Sequence, residues 1–401
     1  MSRKAVLRWN KNNSKIVELK FNSLEWSGTD TQVSRELTFT LPYNPYDKDF
    51  SNAGIKLGDL IYFYYGGKKK FTGTVTSREA KAEIGTVSYT AKDFMQHLLR
   101  SNTTIKIKNM TPEAATKKIC SQVGIKTVNL ARTKVNISKM IFSDQPIYDI
   151  IIALYRKAKK TTHKKYMPVM NGRNVSVVTK GTSSGVTLYQ GKDITSATYQ
   201  DTTDNIVDCV LIFNDKYKKL GKIENKNNIS KYGVYQSVYT KEKGVNAKTA
   251  AKALLTGVTK EASIEALGNI AAVSGKSIDI QNSAAKLTGK FYITSDTHKF
   301  ENGTHTMSLS LSYVNTMEEG ADTESTKKSS KNSSKKNKPK ITNAAKAYYF
   351  ESGTVFHSSK SCSACKNAKT KAKETTVAKI KKMKKANGKR KYKACSKCWS
   401  Q

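Results

Sequence analysis

The chain has 401 residues, and its 71 basic against 31 acidic side chains give a formal charge of +40. Its apolar share of 37% lies below the roughly 45–50% of average globular chains, but 20 Tyr, 12 Phe and 3 Trp exclude wholesale disorder. No apolar run reaches membrane-spanning length, and six cysteines over this length exclude a disulfide scaffold.

The first hundred residues read as short strands. Ile16 to Phe21 alternates, and so does Leu37 to Leu41, which is expected to stop at Pro42. Asp59 to Tyr65 ends at Gly66-Gly67, Lys70 to Thr76 returns, and Thr86 to Ala91 leads into a short helix over Asp93 to Arg100. This spacing predicts a small barrel or sandwich for residues 1–102.

From Thr103 the pattern changes to a small α/β unit, residues 103–185. Thr111-Pro112-Glu113 starts a helix that runs through Ala114 to Val123, with Thr as the cap and Pro at the first helical position. A second helix, Pro146 to Lys159, places Ile147, Ile150, Ile151 and Leu154 on one face. Tyr166 to Met170 and Val175 to Val178 form a hairpin across Asn171-Gly172.

Residues 186–317 return to strands with a helical insertion. Strands are expected at Asn205 to Phe213 and Tyr232 to Tyr239, and a helix at Ala247 to Thr256 with Ala250, Ala251, Leu254 and Leu255 as its stripe. The clearest hairpin runs from Phe291 to Ser295, turns at Glu301-Asn302-Gly303 and returns from Thr306 to Leu311. Residues 318–344 are Ser, Lys, Asn and Thr with almost no apolar residue, the composition of a flexible linker. A small module, residues 345–401, follows.

That module carries the strongest chemical signal. His357, Cys362, Cys365, Cys395 and Cys398 follow the pattern H-x4-C-x2-C-x29-C-x2-C. A CxxC pair turns two thiolates toward a common side, and zinc takes four such ligands. The expected set is His357, Cys362, Cys395 and Cys398, with Cys365 as the alternative ligand. A structural zinc would stabilise a module whose core candidates are only Tyr348, Tyr349, Phe350, Val355, Phe356 and Trp399. Glu351 and Glu374 are its only acids, which disfavours a catalytic metal.

Elsewhere the chemistry is thin. Gly275-Lys276-Ser277 lacks the first glycine of a phosphate loop, and no G-x-S-x-G elbow exists. His298 and His305 flank the Asn-Gly turn and are expected to face each other as a cross-strand polar pair rather than a metal site. Asp201, Asp204 and Asp208 read as a solvated edge, Glu25 and Asp30 as unrelated acids, and Cys120 and Cys209 as core thiols. No catalytic constellation emerges, and the expectation is a non-enzymatic protein.

The charge is uneven. Residues 324–401 hold 23 basic and 3 acidic side chains, half the surplus in a fifth of the chain. Only 9 of the 71 basic residues are Arg, so the chain lacks the planar forks that favour specific phosphate and base contacts.

Several segments together resemble a known family. Trp26-Ser27-Gly28, Gln32 and Arg35-Glu36-Leu37-Thr38-Phe39 resemble the opening of baseplate hub proteins of contractile phage tails. Gly191 to Tyr199 with Asn205-Ile206-Val207, and Gly289 to His298 with Met307-Ser308-Leu309, are similar to the second barrel of that family. The resemblance covers about residues 1–318 and points to hubs of PBSX-like prophages and phage-tail-like bacteriocins, the late control D superfamily. It implies an α+β, mainly β chain with two tube-like β-barrels and a small α/β insert, assembled as a homotrimer. Such a ring adapts a sixfold tail tube to a threefold central spike, with tube, baseplate and tape-measure proteins as partners and a positively lined channel that tolerates passing DNA. The location implied is a phage or phage-like tail baseplate assembled in the bacterial cytoplasm. The competing reading is a zinc-dependent nucleic-acid-binding protein, supported by the charge and by the Lys-rich stretch Lys379 to Lys393. A cell-wall hydrolase is a third, which would require a paired-acid or Cys/His site within the first 323 residues, where none is found.

Overall fold

The computed structural model describes residues 4–11, 15–242, 246–318, 320, 342–343, 345–351, 353–359, 372–384, 392–395 and 399. The chain divides into two compact units, residues 1–326 and 327–401.

The larger unit begins with β1 (Ala5–Lys11), β2 (Lys15–Leu19), β3 (Ser23–Thr29), β4 (Glu36–Tyr43), β5 (Leu60–Tyr65), β6 (Lys68–Ala80) and β7 (Gly85–Asp93). These pair antiparallel in the order β3-β4-β7-β6-β5-β1-β2. Alternation sends Leu24 and Trp26, Leu37 and Phe39, Tyr89 and Ala91, and Ile61 and Phe63 to one face, where they form a core. Pro42 does not end β4. It lies opposite Thr86 one residue before the strand's last pair, a terminal position where its missing N–H costs little.

The insert contains α1 (Met95–Arg100), β8 (Asn102–Met110), α2 (Pro112–Ser121), β9 (Thr127–Leu130), β10 (Ile137–Pro146), α3 (Ile147–Thr162), β11 (Tyr166–Asn171) and β12 (Asn174–Thr179). Thr111 caps α2, its hydroxyl accepting from the Ala114 N–H at 3.3 Å. α3 buries nine of its sixteen residues rather than a single stripe. Its Ile150-Ile151-Ile152 run is β-branched and disfavours helix intrinsically, so burial in the insert's core overrides propensity. β8 and β10 pair in a sheet that the sequence did not announce.

The second half holds β13 (Ser183–Tyr189), β14 (Ile194–Thr202), β15 (Cys209–Phe213), β16 (Lys219–Glu224), α4 (Lys226–Tyr232), β17 (Gln236–Thr240), α5 (Ala247–Ala253), β18 (Thr259–Leu267), β19 (Ser277–Asn282), β20 (Leu287–Glu301) and β21 (Thr304–Ser312). β15, β16 and β17 form a separate three-stranded sheet covered by α5. The strand expected over Tyr232 to Tyr239 begins only at Gln236, as β17, while Tyr232 ends α4, capped at its start by Asn225.

The two expected closed barrels are absent among the described residues. Both halves share one open 13-stranded sheet whose path runs β14-β18-β21-β20-β3-β4-β7-β6-β5-β1-β2. The reason is the length of β20. Its first part pairs with β19, and Ser295 to Glu301 pairs antiparallel with β3, from Ser295 opposite Thr29 to Glu301 opposite Ser23. A bulge between Ile293 and Ser295 shifts the phase, so that Asp296, His298 and Phe300 continue the buried face.

Most of the expected linker lies outside the described residues. Its first residue is anchored: Glu318 accepts from the Gln32 N–H at 2.8 Å and from the Tyr148 hydroxyl. Gly320, at φ +71°, passes so close to α3 that a Cβ would come within 2.6 Å of the Ala153 nitrogen.

The smaller unit is a four-stranded sheet of β22 (Lys346–Tyr349), β23 (Val355–His357), β24 (Lys373–Thr376) and β25 (Lys393–Ala394), in the order β24-β22-β23-β25, with α6 (Val377–Lys382). Its core is Ala347, Phe356, Val377, Ile380, Tyr392, Cys395 and Trp399. Tyr348, Tyr349 and Phe350 are only half-buried.

Candidate functional site

The junction of the two halves is built from residues far apart in sequence. Asp296 on β20 lies opposite Gly28 on β3, and His298 lies opposite Trp26. The Arg35 guanidinium grips both Asp296 carboxylate oxygens, Nη1 reaching Oδ1 at 3.0 Å. It also stacks 3.8 Å over the Trp26 ring. Gly28 makes room for it: a Cβ there would stand 2.6 Å from Arg35 Nη1. The Ser274 N–H donates to Asp296 Oδ1 at 2.6 Å. Burial would push the Asp296 carboxyl up, but the Arg35 and His298 partners more than offset it and hold it well below the usual carboxylate range.

A hydrogen-bond chain continues from this pair. His298 Nε2 lies 3.0 Å from the Ala272 carbonyl, which only accepts, so Nε2 carries the hydrogen. His298 Nδ1 shares a hydrogen bond with His305 Nε2 at 3.1 Å, and His305 Nδ1 lies 3.3 Å from the Tyr65 hydroxyl. The two histidines therefore face each other across the hairpin and spend their facing nitrogens on one hydrogen bond. Burial, and then the neighbouring His298, push the His305 ring down to about 4.

Two further contacts brace the junction. Asp93 accepts from the Ser34 hydroxyl, the Arg35 N–H and the Met95 N–H at 3.0–3.1 Å, and burial pushes its carboxyl up to about 6. Lys180, at the exit of the insert, pairs with Asp30 at 2.6 Å, both nearly fully buried. Asp30 is thus a structural ion-pair partner, while Glu25 stands exposed on the other face of the sheet.

In the smaller unit, His357 ends β23 and Cys395 follows β25. These strands run parallel with Phe356 opposite Ala394, so His357 and Cys395 come one step beyond the last registered pair, both buried. Burial lowers the His357 ring below its ordinary value, which favours the neutral, ligand-competent imidazole. Cys362, Cys365 and Cys398 lie outside the described residues. Among the described residues no group of three His, Cys, Asp or Glu side chains is placed to hold a metal.

The remaining candidates are placed plainly. Asp208 is no solvated edge: it is fully buried, and its Oδ1 accepts from the Tyr235 N–H at 2.9 Å. Asp201 is exposed and accepts from the Tyr199 hydroxyl, and Asp204 is exposed. Cys120 is buried, its thiol pushed up to about 12, and Cys209 is buried as well. The Gly275 and Ser277 N–H groups donate to Ile293 and Thr182, so no phosphate cradle exists there. No helix among the described residues is long and apolar enough to cross a membrane.

A second feature is a face rather than a site. Opposite the cores, the registered rows of β14, β18, β21, β20, β3, β4, β7 and β6 present one continuous polar surface. It includes Thr198, Ser263, Ser310 and Ser295, then Thr297, Ser27, Thr38 and Thr90. The charges on it are Glu25, Glu36, Glu79, Glu261, Glu265, Glu301, Lys92 and Lys299, so acids outnumber lysines on a chain of +40. A positively lined surface is not found there.

A family model described as YQBQ-like matches residues 24–312. The phage-like element PBSX protein XkdQ of Bacillus subtilis (strain 168) is 25% identical over 315 residues, covering 76% of this chain and 96% of that protein. The uncharacterized protein YqbQ of the same organism is 26% identical over 316 residues, covering 76% and 95%. Among solved structures, the 43 kDa tail protein of prophage MuSo2 from Shewanella oneidensis superposes with a TM-score of 0.59 at 14% identity, covering 77% of this chain and 97% of that one. A tail protein from Neisseria meningitidis MC58 gives 0.57 at 14%, covering 77% and 96%. At such identities the structural likeness is one of fold.

Proposed function

This chain belongs to the YQBQ-like family, and on that premise we propose that it is a structural protein of a phage or phage-like tail. The reading is supported by a PBSX relative that matches 76% of this chain over 96% of its own length and by tail proteins that share its fold. The finer proposal is a baseplate hub: three copies form a ring between tail tube and central spike, with baseplate and tape-measure proteins as further partners. The particle is assembled in the bacterial cytoplasm and is either a phage or a tail-like bacteriocin. The role needs no catalytic group.

The observation that carries this reading is the continuous polar face across eight strands. The sheet leaves β14 and β2 as unpaired ends, and such edges join neighbours or are otherwise covered. A repeated head-to-tail contact closes into a ring when its rotation permits. The face then forms a wall lined by hydroxyls and a slight excess of carboxylates, along which a polyanion slides without being held. A nucleic-acid-binding protein would place its lysines on such a face.

The C-terminal unit is proposed to hold one structural zinc through His357, Cys362, Cys395 and Cys398, with Cys365 as the alternative. His357 and Cys395, buried and adjacent by register, fit two of the four positions. Zinc would supply a cross-link to a small core and no reaction step.

Native mass spectrometry of the full chain tests both parts. The expected species is a trimer with one zinc per chain. A monomer at every concentration overturns the self-assembled ring, and a chain without zinc overturns the metal site.

A further inference from the structure

We infer that the three-stranded sheet of β15, β16 and β17 is a docking face for an acidic amphipathic helix of another protein. β15 reads Cys209-Val210-Leu211-Ile212-Phe213, apolar at every position. A strand covered on one face alternates, whereas a strand buried on both faces is apolar throughout. Among the described residues α5 covers one face, where Val210 and Ile212 pack with its Ala251. Leu211 and Phe213 point to the other face and stay half-buried. Val238, opposite Leu211 on β17, is 55% exposed, and Leu220, where the register of β16 shifts, is 49% exposed. α4 buries none of its residues, so it is not the missing layer. Six of the fifteen exposed large hydrophobic side chains among the described residues fall between Tyr217 and Leu254, the densest such cluster in the chain.

The chemistry of this face selects its occupant. A helix already packs on the near side, and a sheet apolar on both sides takes a helix on each. The apolar row supplies the grip, since protein partners are held chiefly by apolar anchors. The charge beside it lies on one flank: residues 215–224 carry four lysines against two acids, while Gln236 and Thr240 on β17 are uncharged. The fitting helix therefore has an apolar stripe with acids beside it. A second copy of this chain supplies no such helix, because each of the six helices among the described residues holds more basic than acidic side chains. The inference goes beyond the ring and stands whether or not copies of the chain assemble.

The test uses the full chain and a fluorescein-labelled synthetic helix of leucine and glutamate, about 18 residues or about five turns long. Fluorescence anisotropy compares it with a scrambled peptide of equal composition and with a leucine–lysine peptide of the same pattern. The patterned acidic peptide is expected to bind, and the other two to bind about tenfold more weakly or worse. The double variant Leu220→Ser, Val238→Ser should weaken the acidic peptide by about tenfold. The control Leu57→Ser, Ile84→Ser, at exposed positions outside this sheet, should leave its binding unchanged. Far-ultraviolet circular dichroism confirms that both variants fold. Equal binding of the scrambled peptide, or equal weakening by the control, would overturn the inference. Two further outcomes would overturn the helix in favour of another occupant. Self-association of the chain that the Leu220/Val238 variant loses would assign the face to a second copy, and co-flotation with phosphatidylglycerol vesicles lost in the same variant would assign it to a membrane.

Discussion

At the scale of single residues, a buried charge pair joins β20 of the second half to the first half of the large unit. Asp296 is 1% exposed, and its carboxylate has Arg35, the Ser274 N–H and His298 around it. Removing one partner of such a pair leaves the other charged and dehydrated. Asp296→Asn is therefore expected to lower the unfolding free energy by about 3–5 kcal/mol, read as a shift of the urea midpoint. A shift within about 1 kcal/mol would show that the pair does not hold the junction.

Two other residues there respond to pH in opposite senses. Asp93 has a folded value near 6, above its ordinary value of 3.8, so the folded state takes up the proton first and stability falls as pH rises from about 4 to 6. His305 has a folded value near 4, below its ordinary 6.5, so the unfolded state takes up the proton first and stability falls as pH drops from 6.5 to 4. The wild-type profile is expected to be nearly flat across this window. Asp93→Asn removes one arm, and its stability should drop more steeply in acid than the wild type. His305→Gln should reverse the slope, with stability declining as pH rises. Denaturant titrations at pH 4.5, 5.5 and 6.5 read both slopes, and parallel profiles for all three proteins would overturn the assignment.

At the scale of elements, local chemistry was legible where the turn residue decided the geometry. Asn302-Gly303 forms the tight hairpin turn the sequence announced, at φ +50° and +75°. The earlier hairpin forms with its turn one residue later than expected: Asn171 pairs with Asn174, and Gly172, at φ +61°, and Arg173 make the turn. The Thr111-Pro112 helix start was equally plain. β20 was not. Phe291 and Ile293 carry the alternation, and then Ser295-Asp296-Thr297 reads as a polar stop. The bulge after Ile293 changes the phase, and Arg35 makes Asp296 a core residue. A lone arginine near Trp26 and Gly28, in a chain of nine, was the only hint. α3 was legible too: Ile147, Ile150, Ile151 and Leu154 are all buried, though the buried surface, nine of sixteen residues, is wider than that stripe.

At the scale of the whole molecule, one sheet runs through both halves, so residues 1–326 are expected to unfold as one cooperative unit. Calorimetry should show a second, smaller transition from residues 327–401. A chelator or Cys395→Ser should lower that transition alone, because a metal bound only by the folded state stabilises only the unit that holds it. An unchanged second transition would remove the zinc, and two separate transitions within the large unit would show that β20 does not couple its halves.

The sequence by itself determined the turns, the caps, the mainly β class, the family resemblance and the uneven charge, because each depends on neighbours a few residues apart or on composition. Tertiary structure decided the rest. Strand partners 270 residues apart, the bulge that turns Asp296 and His298 inward, and the open sheet in place of closed barrels arise from non-local pairing. Alternation tells which side of a strand is buried, but not which strand lies beside it.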